Sequence, residues 1–355
     1  MHKLVKSILI TGNAGLLGSR MADWLLSFHP EYEVVGIDNL FGGYVENIDP
    51  KVVFYKRDLA TDSITDIFDK HEFEYVFHFA AYAPEGLSPF MRMFIDRNNI
   101  LSTDNIINEC VNHKVKRLVF ASSMAVYGNG EHYGKRFKEY DTPRPIDPYA
   151  VSKYACELNV KNAGMIHKLD WCIVRPHNLY GTKQNIWDRY RNVLGIWMYR
   201  TLKGEPIYIY GDGEQTRAFS YVDDCLKPLW NAATNPKASR QIFNLGATKA
   251  YKIKEAAEIL CNITGVRNIE YKEARYEVKH AVPSSTKSKD FLEYEDKTTL
   301  EEGLREMWEW AKKQPDREQF TPEKYEIDNG IYDYWRERSR QTFRDGHHDI
   351  QTFKR

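Results

Sequence analysis

The chain has 355 residues, with 50 Lys and Arg balanced by 50 Asp and Glu to a formal net charge of zero, and 42% hydrophobic residues. This composition is that of a globular protein of one large or two modest domains with a core that needs no staple; the charge balance speaks against a dedicated nucleic-acid binder, and no apolar run reaches the ~18–20 residues of a membrane span. Five scattered cysteines without a Cys-x-x-Cys spacing read as reduced thiols, with neither disulfide frame nor metal site expected.

The N-terminal residues lead straight into a strand-like run without a signal-peptide layout, so a cytoplasmic location is expected. Apolar runs then alternate with amphipathic stretches. Strands are predicted at Ser7–Thr11, Glu33–Ile37, Val52–Tyr55, Tyr75–Phe79, Arg117–Ala121 and Trp171–Val174. Helices are predicted at Leu16–Ser27, Ile64–Lys70, Asn98–Asn112 and Val151–His167. Strand and helix in this rhythm predict a Rossmann-type α/β fold, a doubly wound parallel sheet with ligands at the carboxyl ends of its strands. Past Pro176 the rhythm changes. A polar-aromatic helix over Thr182–Thr201, a strand at Pro206–Tyr210, a turn at Gly211–Gln215 and amphipathic helices at Lys252–Thr264 and Leu300–Lys313 predict a smaller α/β domain. The expected units are a dinucleotide-binding domain over 1–177, a second domain over 178–315 that is free to interleave with the first, and a charged extension over 316–355. The paired His347 and His348 in that extension read as a solvated end.

Gly12, Gly15 and Gly18 follow the first strand and open a helix. Glycines at such a turn let the backbone approach a pyrophosphate that the helix N-terminus then faces. Asp38, 20 residues after Gly18 at the end of the second strand, suits a ribose diol and repels a 2′-phosphate. NAD is therefore expected over NADP; a cap or turn is the plainer alternative role for Asp38. Tyr149 and Lys153 stand four apart at the start of a helix, on one face. An ammonium near a phenol favours phenolate, which makes the tyrosine a candidate general base. Ser123, in Ser122-Ser123-Met124-Ala125 at the end of a strand, is the candidate third member; Ser122 also reads as part of a turn.

The spacing G-x-x-G-x-x-G after Thr11, with Ser123, Tyr149 and Lys153, resembles the extended short-chain dehydrogenase/reductases, and most the NAD-dependent nucleotide-sugar epimerase/dehydratase family in its UDP-glucose 4-epimerase branch. The resemblance spans roughly Ser7 to Pro315. It implies further cofactor contacts from Leu16 and Leu17, from Asp58 and Leu59 at the adenine, from Phe79, Ala80 and Ala81 in His78-Phe79-Ala80-Ala81, and from Asn99 and His177. It also implies a nucleoside-diphosphate sugar held between the domains. Arg217 is the first candidate for the diphosphate and Arg275 the second, since planar guanidinium suits paired oxygens. Asn178 and Asn192 match amide contacts to phosphate or sugar, Tyr210 is placed to stack on a base, and Ser123 would hold the sugar hydroxyl. Trp187, Arg189 and the stretch Glu85–Ser88 stand near the hexose end with no role assigned. Ala218, His177 and Ala83 depart from residues common in 4-epimerases, which bears on the identity of the sugar.

Relatives differ in the chemistry after oxidation of the sugar. Met124 and Ala125 occupy the places where 4,6-dehydratases carry Asp-Glu, and neither can move a proton. The expected reaction is therefore 4-epimerisation of a UDP-hexose, such as UDP-glucose or UDP-galactose, by transient oxidation at C4 with tightly bound NAD. In it Tyr149 is the base, Ser123 orients the hydroxyl, and Lys153 lowers the tyrosine pKa and holds the nicotinamide ribose. The alternatives are an NAD-dependent 4,6-dehydratase and a non-catalytic dinucleotide-binding protein. The resemblance also implies a homodimer through the helices at Asn98–Asn112 and Val151–His167.

Overall fold

The central sheet starts in its middle and winds outward both ways. In the computed structural model, which describes residues 6–129, 136–275, 277–319, 322, 324–332 and 335, it contains β1 (Ser7–Thr11), β2 (Glu33–Asp38), β3 (Val53–Lys56), β4 (Phe73–His78), β5 (Arg117–Ala121), β6 (Trp171–Pro176) and a seventh strand, Gln241–Leu245. The order is seventh-β6-β5-β4-β1-β2-β3, all parallel. Crossovers on opposite sides of β1 leave a crevice beyond the carboxyl ends of β1 and β4, the switch point where such sheets bind ligands. Alternation along β1 divides the core in two. Ile8 and Ile10 pack with Met21 and Leu25 of the helix Leu16–Phe28, while Leu9 packs with Ile106 of the helix Ser102–Asn112 and Val160 of the helix Pro148–Ile166. Burial on both faces is why these strands read as continuous apolar runs.

One expectation is sharpened and two need correction. The interleaving that the division at 177 left open is present: the seventh strand comes from 241–245, and the helix Leu226–Thr234 packs Leu226 and Leu229 into the first core. Second, the stretch 182–201 is helical only over Val193–Leu202. Before it, Asn185 accepts the N–H groups of Trp187 and Asp188, and Asp188 that of Tyr190, local bonds that compete with a helical ladder. Third, the helix expected from Asn98 begins with a wide π turn, Arg97–Leu101, before its regular part at Ser102. Such turns gather at functional sites, and this one contains Asn99.

The smaller unit holds short strand pairs, Leu179–Tyr180 with Ser220–Tyr221 and Ile207–Tyr210 with Ile269–Lys272. Its core joins Trp197, Ile209, Leu260, Leu304 and Met307. The helix Leu300–Ala311 is stopped upstream by a reciprocal Thr299–Glu302 cap. His347 and His348 lie outside the described residues.

Candidate active site

The crevice is built from backbone first. Thr11 ends β1, and its hydroxyl accepts the N–H groups of Phe79 at 3.2 Å and Ala80 at 3.1 Å. It also bonds His78 Nδ1 at 2.7 Å, and His78 Nε2 reaches Thr103 at 3.0 Å. Burial pushes the His78 imidazole down to about 3, so this lashing of β1 to β4 is made by a neutral ring. Gly12 turns at φ +71° against that backbone, where a Cβ would come within 2.8 Å of the Ala80 nitrogen. A Cβ on Gly18 would lie 2.2 Å from the Gly12 carbonyl oxygen. Gly15 caps the following helix with no side-chain bond, leaving its N-terminus to an anion. At the other end of the crevice the Asp38 carboxylate accepts the N–H of Ala14 at 3.0 Å and of Leu40 at 2.8 Å. Gly18→Ala is expected to weaken NAD binding about tenfold or more, the equivalent of ~1.4 kcal/mol, in a fluorescence titration. Unchanged affinity would show that the loop yields to the methyl group.

A cavity of about 240 Å³ follows this loop, lined by Gly12, Gly15, Leu16, Leu17 and Gly18, by Asp38, Asp58 and Leu59, and by Phe79, Ala80 and Ala81. Tyr149 and Lys153 complete it. Glycine cradle, open helix N-terminus and a carboxylate at the far end of the crevice together fit a dinucleotide. Two expected contacts lie elsewhere. Asn99 is buried behind the wall, accepting the Tyr82 N–H at 2.9 Å and donating to Ser152 at 3.0 Å, because the wide turn aims its amide at the protein. His177 is sealed under Gly246, where a Cβ would stand 2.6 Å from the His177 Cβ. Burial and then Arg175 push its imidazole down to about 3.

Asp147 caps the helix Pro148–Ile166 by accepting the Ala150 N–H at 2.9 Å, which fixes the first turn carrying Tyr149. Tyr149 lines both this cavity and a larger cleft of about 1140 Å³ between the two units. Ser123 stands beside it and opposes the upward shift of its phenol, and the Ser123 oxygen accepts the Ala125 N–H at 3.1 Å. The Lys153 ammonium donates to the Ala121 carbonyl at 2.8 Å and sits 5.1 Å over the Phe120 ring. Burial lowers it to about 8. The expected lowering of the Tyr149 pKa by Lys153 is not what the protein alone produces. Burial raises the phenol well above its ordinary value, Ser123 and Arg191 oppose this, and Glu85 and Asp147 add to it. Ser122 is a structural anchor: its hydroxyl donates to Glu157 at 2.6 Å, and Glu157 holds Arg175 through two bonds of 2.8 and 2.7 Å.

All six expected substrate contacts line the larger cleft, but several are already engaged. Arg217 donates to Glu277 at 2.7 Å. Asn192 caps the helix Val193–Leu202 with its oxygen and donates to the Leu179 carbonyl at 2.7 Å. Asn178, at φ +37°, donates to the Ala218 carbonyl at 3.2 Å. Arg275 lies 3.3 Å over the Tyr210 ring, so one face of that tyrosine is covered. Trp187 is buried against Tyr44 instead of facing the cleft.

Two cleft residues carry more than the sequence assigned them. Arg191 lines both cavities and is held by Asp188 at 2.9 Å. The irregular loop before it, which no periodicity announces, places it there. Glu85 is exposed to the cleft, yet the atoms crowded around its carboxyl, with Asp147 and Glu277 adding and Arg217 opposing, raise it to about 7; the open cleft side limits what that shift can contribute to stability. Its one signal was a charge four residues past the β4 motif. Since its folded pKa exceeds the ordinary 4.5, its effect on stability is absent below about 4.5, grows more destabilising as pH rises from there to about 7, and is constant above. Glu85→Gln is expected to raise Tm by about 1–2 °C at pH 8, limited by cleft-side screening, and to leave it unchanged at pH 4. An equal change at both pH values would rule out ionisation as the cause.

Doubly wound sheet, glycine loop, the acid ending β2 and the Ser-Tyr-Lys set define an NAD-dependent extended short-chain dehydrogenase/reductase. The chain belongs to the NAD dependent epimerase/dehydratase family, whose profile matches residues 8–246. It is 30% identical to a putative UDP-glucose 4-epimerase of Methanocaldococcus jannaschii, over 86% of this chain and 98% of the relative. The UDP-glucose 4-epimerase of Thermotoga maritima, solved with UDP-glucose, superposes with a TM-score of 0.80 at 31% identity, over 86% of this chain and 98% of that one. The UDP-glucuronic acid 4-epimerase of Bacillus cereus, solved with UDP-glucuronic acid and NAD, does so at 0.78 and 25% identity, over 86% and 99%.

Proposed function

We propose that the protein is a nucleotide-sugar 4-epimerase, acting on a UDP-hexose with NAD held through the cycle. The observation that carries this reading is Tyr149 at the junction of the cofactor cavity and the substrate cleft, beside Ser123, with Met124 and Ala125 next in the chain. Bound NAD supplies a hydride acceptor that can return what it takes. Tyr149 removes the sugar hydroxyl proton, and Ser123 holds that hydroxyl and passes the proton between oxygens. Lys153, which lines the cofactor cavity, would bind the nicotinamide ribose. Arg217 and Arg275 take the diphosphate, for which Arg217 must share or leave Glu277. The 1140 Å³ cleft gives a bound hexose room to turn and present its other face.

Glu85 favours a second reading. A carboxyl titrating near neutrality beside Tyr149 is an acid–base group of the kind a 4,6-dehydratase needs. One experiment separates the two. UDP-, GDP-, dTDP- and CDP-hexoses are incubated with the enzyme, and products are read by mass and NMR. Epimerisation leaves the mass unchanged with an inverted C4, while dehydration removes one water. No conversion of any of them would overturn both readings.

The same reading includes a homodimer through the helices Ser102–Asn112 and Pro148–Ile166. Leu101, Val151 and Leu158, on or beside them, expose apolar surface. Light scattering at the mass of a single chain would exclude it. All five cysteines are free and buried, which suits a reducing compartment such as the cytoplasm. Among the described residues no helix is long and apolar enough to cross a membrane.

A further inference from the structure

The sequence leaves the residues past 315 as a charged appendage, yet part of them is core. Tyr325, Ile331 and Trp335 are buried in a cluster with Phe90, Tyr190 and Tyr149 itself. The anchor is polar. The Glu326 carboxylate accepts the N–H groups of Met93 at 2.8 Å and Phe94 at 2.9 Å, at the start of the helix Arg92–Asp96, and its own N–H donates to the Phe90 carbonyl at 3.0 Å. The Tyr325 and Tyr190 hydroxyls meet at 2.9 Å, and Arg189 donates to the Trp335 carbonyl at 3.0 Å. A segment tied this closely is part of the folded unit.

Its aromatic rings face the cleft. Tyr332 and Trp335 both line it. The Arg275 guanidinium lies 3.3 Å from the centre of the Tyr210 ring, 5.4 Å from that of Tyr332 and 5.6 Å from that of Trp335. Three rings thus surround one guanidinium and fix its place in the cleft by cation–π contact. The Trp335 ring edge lies 3.8 Å from where a Cβ on Gly86 would stand, next to Glu85. An aromatic plane beside a carboxylate suits a pyranose, whose C–H faces pack on rings while its hydroxyls donate to oxygens.

We propose that residues 324–332 and Trp335 form a substrate-binding element that positions Arg275 on the diphosphate and walls the sugar end of the cleft with Trp335. This rests on the nucleotide-sugar reading above and assigns the tail a part in it. Tyr332 and Trp335 act as positioning residues for Arg275, and Glu326 fastens the segment from outside the cleft.

The test is equilibrium titration of the full-length, NAD-loaded protein with UDP and with UDP-glucose, with NAD content and Tm measured in parallel. Trp335→Ala and Tyr332→Ala are expected to weaken UDP binding about ten- to hundredfold, and Glu326→Ala to weaken it less, all with NAD content unchanged. Trp335→Phe should restore most of the affinity. If these nucleotides are turned over, KM should rise while kcat falls little. Affinities within twofold of wild type in folded Trp335→Ala would overturn the proposal; if that variant does not fold, the half-buried Tyr332→Ala decides by the same criterion. Wild-type protein that binds neither UDP nor any other nucleoside diphosphate would instead overturn the nucleotide-sugar reading itself.

Discussion

Tyr149→Phe is expected to lower turnover of a nucleotide sugar by about 10²–10⁴-fold, the range of general acid–base catalysis, while NAD binding and the fold persist. The change removes one oxygen from a buried ring that stays packed among Ala125, Ala150 and Tyr190. It also removes the titratable hydroxyl beside Ser123. Burial keeps the phenol protonated in the protein alone. Wild-type turnover should therefore climb with pH as the phenolate becomes accessible, and the residual activity of the variant should not share that climb. Product formation at the wild-type rate would exclude Tyr149 as the base.

Glu157→Ala should be the most destabilising single change in the cofactor-binding layer. Glu157 and Arg175 are 0% and 1% exposed in their side chains, and the pair ties the catalytic helix to the end of β6. Ser122 adds a third bond from the end of β5, and the Arg175 guanidinium also lies 4.7 Å over the Tyr127 ring. Removing the carboxylate leaves a buried guanidinium uncompensated, at a cost of about 3–5 kcal/mol. The loss should appear as a fall in Tm of about 5–15 °C. Replacing both partners by Met should cost less than the single change, because no unpaired charge then remains. A double variant less stable than Glu157→Ala would show that the pair is worth more than the desolvation it relieves.

How far the sequence could be read depends on where each contact partner lies. The strands β1, β2, β4, β5 and β6 announced themselves because they are buried on both faces, and the glycine loop because its spacing and the later Asp38 are local to one βαβ unit. The seventh strand did not. Gln241–Leu245 is short, half polar, and takes its strand conformation from β6 rather than from its own pattern. Asn99 and His177 lie next to real cavity walls, and one turn of backbone decided that their side chains face inward. Tyr332 and Trp335 were unreadable for the opposite reason. Their partners Arg275, Tyr190 and Phe90 come from distant parts of the chain, and a run of charges around them masked one half-buried and one buried ring. Glu85 shows the limit most plainly, since its environment is assembled from three separate segments that bring Asp147, Arg217 and Glu277 to it.

The late arrival of the seventh strand also sets an order of events during synthesis. When β6 leaves the ribosome its outer edge has no neighbour, and the stretch 177–240 must emerge before Gln241–Leu245 can cover it. At ~5–20 residues per second that interval is about 3–13 s, during which a row of unpaired N–H and C=O groups stands open to other nascent chains. The nucleotide fold is thus finished by residues that belong to the later half of the message. Slow translation through 177–240 should cost yield, whereas slow translation after Leu245 should not.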